Sequence, residues 1–506
     1  MAGFLNSIVI AGGGTAGWLS AAYLAARHPQ LEITLVEAPG IAPIGVGEGS
    51  WPTLRETLRT IGITEAEFLL RCDASFKQGS RFDGWTDGEA DDRYFHPFTP
   101  PIPSSANPFA GTDMPFAMAS TPQVAICEND LAPKQGTMPD YAGALNYGYH
   151  FDATKLANLL KHHAIDRLGV RHLEDEIVDV NLDEKRMIDT LSLQRSGQIG
   201  ADFFIDCTGL KALLIGRIDR EGWIDRSAVS FNDSALAVSV PSPAGSPIAS
   251  QTVGTAHQGG WIWDIALGTR RGIGCVYSSR FLSDNDASQI LDTYLRGYCP
   301  DADVTTLKPR RITFPTGYRR KFWQGNCLAV GLSSGFIEPL EATAIVLIEL
   351  SLQALADDLP QSAELQEVLS HRFNRTFRMH WERVIDFLKL HYVLSDRQEP
   401  YWIAHRDPST IPSSLRDQLL LWKERGPAER DMSLRQELFP AASQQYVFYG
   451  MMHTRGTSIT RPTHNTHSEV ERRARALRAS LPSNRAFLDG LSSKAAGSSR
   501  PERLNA

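Results

Sequence analysis

Three glycines near the start of the chain carry the first recognisable chemistry. Gly12, Gly14 and Gly17 form a GxGxxG run, Thr15 and Ala16 lie between the last two, and Glu37 follows roughly twenty residues later. The first glycine permits a tight turn, the second lets backbone approach a pyrophosphate, and the third lets helix and strand pack closely. Amides at the helix start lack intrahelical acceptors and suit phosphates. A carboxylate at Glu37 suits ribose hydroxyls. The spacing by itself does not separate NAD from FAD. Other chemistries lack their residues. The fourteen histidines give no HxxxH or HExxH pair, and His162 and His163 are adjacent, so a helix would point them to different faces. The six cysteines include no CxxC, so no metal site is expected. A GxSxG hydrolase elbow is missing as well.

Such glycines work only between a strand and a helix. SIVIA (Ser7 to Ala11) suits a buried parallel strand, WLSAAYLAARHP is apolar at helical spacing and stops before Pro29, and ITLVEA (Ile33 to Ala38) suits a second strand. This is a βαβ unit. Residues 87–148 are rich in Pro, Gly, Asp and aromatics, which predicts a long excursion with little regular structure, folded over a surface or forming lids. From Asp152 a helical pattern returns, and alternating runs with turn residues at Ser196-Gly197 predict strands up to Gly209. Further strand-like runs fill residues 228–330. Helices are predicted for Glu341 to Asp358 and His371 to Leu394, and a small, polar tail from about Ser492 is predicted to be disordered.

Composition limits the remaining classes. The 506 residues hold 51 Lys+Arg against 58 Asp+Glu, a formal charge of −7, with 42% hydrophobic and 22% charged residues. That is a globular composition, and its acidic excess argues against nucleic acid as the main partner. No apolar run reaches the roughly 18 residues of a membrane span, no signal peptide opens the chain, and isolated cysteines fit a reduced, cytoplasmic protein.

Two later segments favour FAD. ADFFIDCTG (Ala201 to Gly209) resembles the strand and turn that close the flavin site of FAD-dependent hydroxylases. NCLAVGLSSGFIEPLEAT (Asn326 to Thr343) resembles their second FAD fingerprint, with Leu332 where an aspartate is usual. Further blocks then agree in order: GGGTAGW, IGVGEGSWPTLRETLRTIGI with Gly47, ASFKQGSRFDGW, GWIWDIAL, GFIEPLEAT and HYVLSDRQEPYW. On these the chain resembles the flavin-dependent halogenases, in their tryptophan-halogenase-like branch, over most of residues 5–405.

The resemblance implies an α/β fold: a hydroxylase-type, Rossmann-like FAD-binding unit with a sheet-rich substrate region and a helical C-terminal part. The division expected is a core over 1–390, with FAD segments 7–50, 201–216 and 326–345 and substrate-region insertions 87–148 and 225–320. A helical substrate-covering region at 391–491 and a tail at 492–506 follow. The resemblance also implies Lys77 and Glu341 as catalytic residues. It places FAD on Gly12, Gly14, Thr15, Ala16, Gly17, Glu37, Gly47 and Leu332, and halide on the amides of Thr343 and Ala344. Trp261 and Trp263 fall at the passage between flavin and substrate. The implied reaction runs through a flavin hydroperoxide and hypohalous acid to an electrophile positioned by Lys77, either hydrogen-bonded to its ammonium or carried on it as a chloramine. FADH2 would come from a separate flavin reductase, the substrate would be a small electron-rich aromatic of indole type, and a homodimer is the family expectation.

Departures from the family pattern bear on specificity. Ala266 replaces the proline of WxWxIP, and Ala344 replaces a glycine, which predicts a reshaped halide site, with bromide favoured. The tyrosine pair followed by Glu and Phe that grips free tryptophan is not found near the C-terminus. The rival readings are an FAD aromatic monooxygenase and a non-catalytic flavin-binding protein.

Overall fold

The computed structural model describes residues 5–40, 47–102, 114–220, 222–432, 437–452 and 464–498. Parts of the predicted first FAD segment (41–46), of the excursion (103–113), of the C-terminal cover (433–436 and 453–463) and of the tail (499–506) lie outside the described residues.

The SIVIA run becomes the strand Ser7–Ala11, paired in parallel with Glu32–Glu37 on one side and Phe203–Asp206 on the other. Cys327–Ala329 adds in parallel beyond Phe203–Asp206. The six-stranded sheet runs, in space, Trp323–Gln324, Cys327–Ala329, Phe203–Asp206, Ser7–Ala11, Glu32–Glu37, Arg171–Glu174. Its central strands are covered on both faces, which accounts for their continuous apolar runs. Asp206 ends one of them fully buried. Its carboxylate accepts from the amides of Thr208, Leu214 and Ile215 and so folds the following loop back onto the strand end. The C-terminal ends of the parallel strands therefore open together, as a dinucleotide crevice requires.

The substrate region is built on a seven-stranded sheet in the order Arg310–Thr313, Ser234–Pro241, Arg270–Tyr277, Gly260–Ala266, Thr252–His257, Gly79–Asp83, Arg93–Pro97. A three-stranded sheet of Glu48–Gly49, Gly148–Phe151 and Ser75–Lys77 lies where the chain passes from the first unit to the second. C-terminal to these run a 31-residue helix, Ala363–Val393, and the helices Pro400–His405, Ser413–Arg425, Ala441–Met452, His464–Ser480 and Asn484–Ser498.

The structure corrects four boundaries. The helix expected from Glu341 begins at Thr343, because Glu341 and Ala342 have left-handed φ of 63° and 54°. The helix expected from His371 begins at Ala363, where the Ser362 side chain accepts from the Leu365 amide. The excursion is more regular than expected: Arg93–Pro97 pairs antiparallel with Gly79–Asp83, and short helices form at Phe116–Ser120 and Gln123–Glu128. Tyr94, Phe95 and His96 are all buried, so this strand lacks the alternation that would have revealed it. The supposed tail is helical through Ser498. The start of that helix is anchored: the Asn484 side chain bonds both backbone groups of Phe76, and Phe487 packs edge-on against the Phe76 ring at 5.0 Å. All six cysteines are free and buried. Among the described residues no helix is long and apolar enough to cross a membrane.

Candidate active site

The glycine turn has the geometry a dinucleotide needs. Gly12 has φ +110°, and a Cβ there would stand 2.3 Å from the Cys207 carbonyl oxygen. A Cβ on Gly17 would stand 1.8 Å from the Gly12 oxygen. Gly14 instead faces open space, with nothing within 4 Å of where its Cβ would be. It caps the helix Thr15–Arg27, whose first bond is Trp18 N–H to Gly14 O at 3.0 Å. The amides of Thr15, Ala16 and Gly17 are thus left without intrahelical acceptors, beside room for a phosphate. The second glycine turn closes on the same place: a Cβ on Gly331 would be 2.9 Å from Ala16 Cβ. Leu332 follows, half-buried and without a polar atom to offer a ribityl chain. Glu37 lies against Gly13, and its Oε2 meets Lys161 at 2.8 Å and His172 at 2.9 Å. These residues fit the pyrophosphate and ribose of FAD. Gly47 lies 3.7 Å from Gly272 Cα and 3.8 Å from Ile265, measured from where its Cβ would be. It is packed on the seven-stranded sheet.

Lys77 ends the strand Ser75–Lys77, opposite Gly148. The side chain is 1% exposed. Its Nζ crosses over Gly49, 3.2 Å from the position of an absent Cβ, and lies 5.3 Å from the Phe98 ring centroid. The ammonium has no hydrogen-bonding partner among the described residues. Burial pushes its pKa down to about 8, and the negative charge of Glu341 opposes that fall. A buried, unpartnered ammonium is costly to a fold and suits a group that must meet a ligand.

Glu341 occupies a strained turn. Two successive non-glycine residues in the left-handed region cost of the order of 1–3 kcal/mol each. The Trp51 indole N–H donates to the Glu341 carbonyl at 2.7 Å and helps to hold that conformation. The carboxylate is buried. Oε1 lies 2.8 Å from His96 Nδ1 and 3.5 Å from His391 Nε2. Burial pushes its pKa up, but His96, His391 and Lys77 outweigh this and hold it below the ordinary carboxylate value. Thr343 and Ala344 open the helix Thr343–Asp357 directly after this turn. Their amides lie in its first turn and lack intrahelical acceptors, which suits an anion. Ala344 is exposed and has no positive φ; the left-handed angles fall on Glu341 and Ala342.

Trp261 and Trp263 share one face of the strand Gly260–Ala266, with ring centroids 6.4 Å apart. Gly274, paired with Trp263 across the sheet, makes room for that ring, because a Cβ would stand 2.0 Å from it. Trp261 Nε1 donates to Glu338 Oε2 at 3.0 Å, and Asn232 and Tyr392 donate to the same oxygen, each at 2.8 Å. The sequence separates Glu338 from Glu341 by motif alone; the structure gives Glu338 a different task, anchoring the first tryptophan. It also brings in His96, His391, Tyr94 and Ser443, which the sequence analysis missed. His96 and Glu341 are 245 positions apart, and no spacing signal links them.

The chain matches the profile of the family described as Tryptophan halogenase over residues 7–462. It is 34% identical over 434 residues to the tryptophan 7-halogenase RebH of Lentzea aerocolonigenes, covering 80% of each chain. A tryptophan halogenase structure from Shewanella frigidimarina superposes with a TM-score of 0.90 at 42% identity, covering 97% of this chain and 98% of that one. Xcc4156, a flavin-dependent halogenase from Xanthomonas campestris, superposes with a TM-score of 0.84 at 32% identity, over 96% of this chain and 98% of its own. A glycine turn with room for a dinucleotide phosphate and a match along nearly the whole chain lead to one conclusion: this protein belongs to the tryptophan-halogenase family of flavin-dependent halogenases.

Proposed function

We propose that the protein chlorinates or brominates an electron-rich aromatic of the indole type, using FADH2 and O2, with Lys77 and Glu341 as its catalytic residues. Reduced FAD with O2 supplies the oxidising equivalent that turns a halide ion into electrophilic halogen. The residues of the chain do the rest. Gly14, Thr15 and Ala16 hold the pyrophosphate. The amides of Thr343 and Ala344 hold the halide beside the strained turn. The Lys77 ammonium donates a hydrogen bond to hypohalous acid, which fixes its position and makes its halogen more electrophilic. Glu341 stabilises the cationic ring that forms and accepts its proton, restoring aromaticity. Trp261 and Trp263 wall the passage between the flavin and the substrate.

The observation that carries this reading is the buried Lys77 ammonium, without a hydrogen-bonding partner among the described residues and within the electrostatic reach of Glu341. Oxygen transfer alone calls for neither a halide cradle nor an ammonium there. One glycine fingerprint of this kind stands among the described residues, and in this reading the reduced flavin comes from a separate reductase. The test is incubation with FAD, a flavin reductase, NADH, O2, bromide and a panel of indoles and phenols, read by mass spectrometry. A bromine isotope pair in the product supports the reading. A gain of one oxygen would identify a monooxygenase, and no change with bound FAD would identify a flavin-binding protein.

A further inference from the structure

Behind Glu341 stands a chain of contacts that ends in the C-terminal helices. His96, on the strand Arg93–Pro97, is 5% exposed. Its Nδ1 lies 2.8 Å from Glu341 Oε1, and its Nε2 lies 2.9 Å from Ser443 Oγ. Ser443 is the third residue of the helix Ala441–Met452. We propose that His96 and Ser443 are positioning residues, which together fix the imidazole tautomer that holds the Glu341 carboxylate in place as an acceptor. The inference rests on the catalytic role of Glu341 given above.

The argument is one of donors and acceptors. An ionised carboxylate only accepts, so His96 Nδ1 must carry the hydrogen. A neutral ring then has its lone pair on Nε2, and the Ser443 hydroxyl donates to it. Without that donor the ring proton is free to move to Nε2, which sets a lone pair of Nδ1 against the carboxylate. Fixing a histidine tautomer through the partner of its second nitrogen is a general device. The other groups facing this carboxylate cannot replace His96. His391 is farther away, and its Nδ1 is engaged 2.6 Å from the Tyr94 hydroxyl. Burial pushes His391 down to about 3, and burial pushes the Tyr94 phenol up. Lys77 contributes positive charge. The rings of Phe387 and Tyr446 flank the imidazole at 5.5 Å and 6.2 Å, and the Tyr446 hydroxyl is spent on the Thr99 carbonyl. The order Ser–His–Glu is also that of a hydrolase triad. Here Pro440 O takes the amides of Ser443 and Gln444, at 2.9 Å and 3.2 Å, so these two offer no oxyanion cradle beside the hydroxyl.

The test is the pH profile of halogenation, with bromide, flavin reductase and indole as the probe substrate, for the unmodified protein and for Ser443→Ala, Ser443→Thr, His96→Ala and His96→Asn. Bound FAD and thermal midpoint are recorded for each as a check on folding. Loss of either partner should favour protonated Glu341. Ser443→Ala and His96→Ala should therefore move the acid limb of kcat to higher pH, by about half to one unit, with KM for indole changed less than about twofold. Ser443→Thr keeps the hydroxyl, and His96→Asn keeps an N–H near the Nδ1 position; both should return the limb toward its original place. An acid limb that stays put in both alanine variants, with any loss confined to KM or thermal midpoint, would overturn the proposal. Glu341→Gln separates the two levels. If that variant is fully active, the catalytic reading of Glu341 fails. If it is inactive while the alanine variants leave the limb unmoved, only the positioning role fails.

Discussion

Glu338 and Glu341 are three residues apart, both buried, and serve opposite ends. Glu338 gathers neutral donors on one oxygen, from Trp261, Asn232 and Tyr392, while its other oxygen has no hydrogen-bonding partner among the described residues. Burial dominates, and its pKa is raised. Glu341 feels the same burial, but His96, His391 and Lys77 outweigh it, and its pKa is lowered. Burial alone therefore does not make a catalytic carboxylate. The partners decide whether a buried glutamate is a structural acceptor or a charged group ready to receive a proton. The turn between them reinforces the division. Across the left-handed turn at Glu341 and Ala342, the second carboxylate meets His96 and His391, whereas Glu338 remains with the tryptophan strand.

The sharpest way to break this contrast is to neutralise each glutamate without changing its shape. Glu341→Gln should lower kcat by about 10²- to 10⁴-fold, the usual worth of a general base, with FAD still bound. Next in size is the pH dependence set by Lys77. Its pKa is depressed to about 8, so the donating ammonium is present below that value and lost above it. In the unmodified protein the halogenation rate should fall as pH rises through about 8, by about tenfold per unit on the limb. A rate that climbs through the same range would favour the free amine, and so a chloramine route, over a hydrogen-bonded oxidant. The smallest effect is expected for Glu338→Gln. Its amide oxygen can still accept from Trp261, so kcat should change by less than about tenfold, and the loss should be about 1 kcal/mol of stability, seen as a lower thermal midpoint. Equal losses of activity in the two glutamine variants would erase the distinction.

How much of this was legible in the sequence depended on how local the cause was. The glycine turn was legible because strand, turn and helix are contiguous, and Gly12 and Gly17 each answer a contact that a Cβ would destroy, as the 2.3 Å approach at Gly12 shows. Lys77, Glu341 and the tryptophan pair were legible only through the family resemblance, since a lysine in ASFK looks like a solvated one. The left-handed turn at Glu341-Ala342 was hidden, because neither residue type advertises positive φ. His96 was hidden by distance along the chain and by its place on a strand buried on both faces. The last helix was misread because KAAGSS looks like a flexible tail. Its order is imposed from outside, by Asn484 bonding the backbone of Phe76, next to Lys77.

One measurement bears directly on the central claim: product formation by Lys77→Ala under reductase-coupled turnover, with FAD binding measured on the same sample. Halogenated product should vanish while FAD remains bound at its normal affinity, because the glycine cradle is separate from the amine. A variant that binds FAD and still halogenates at the original rate would show that the ammonium does not handle the oxidant, and the mechanism built on it would be wrong.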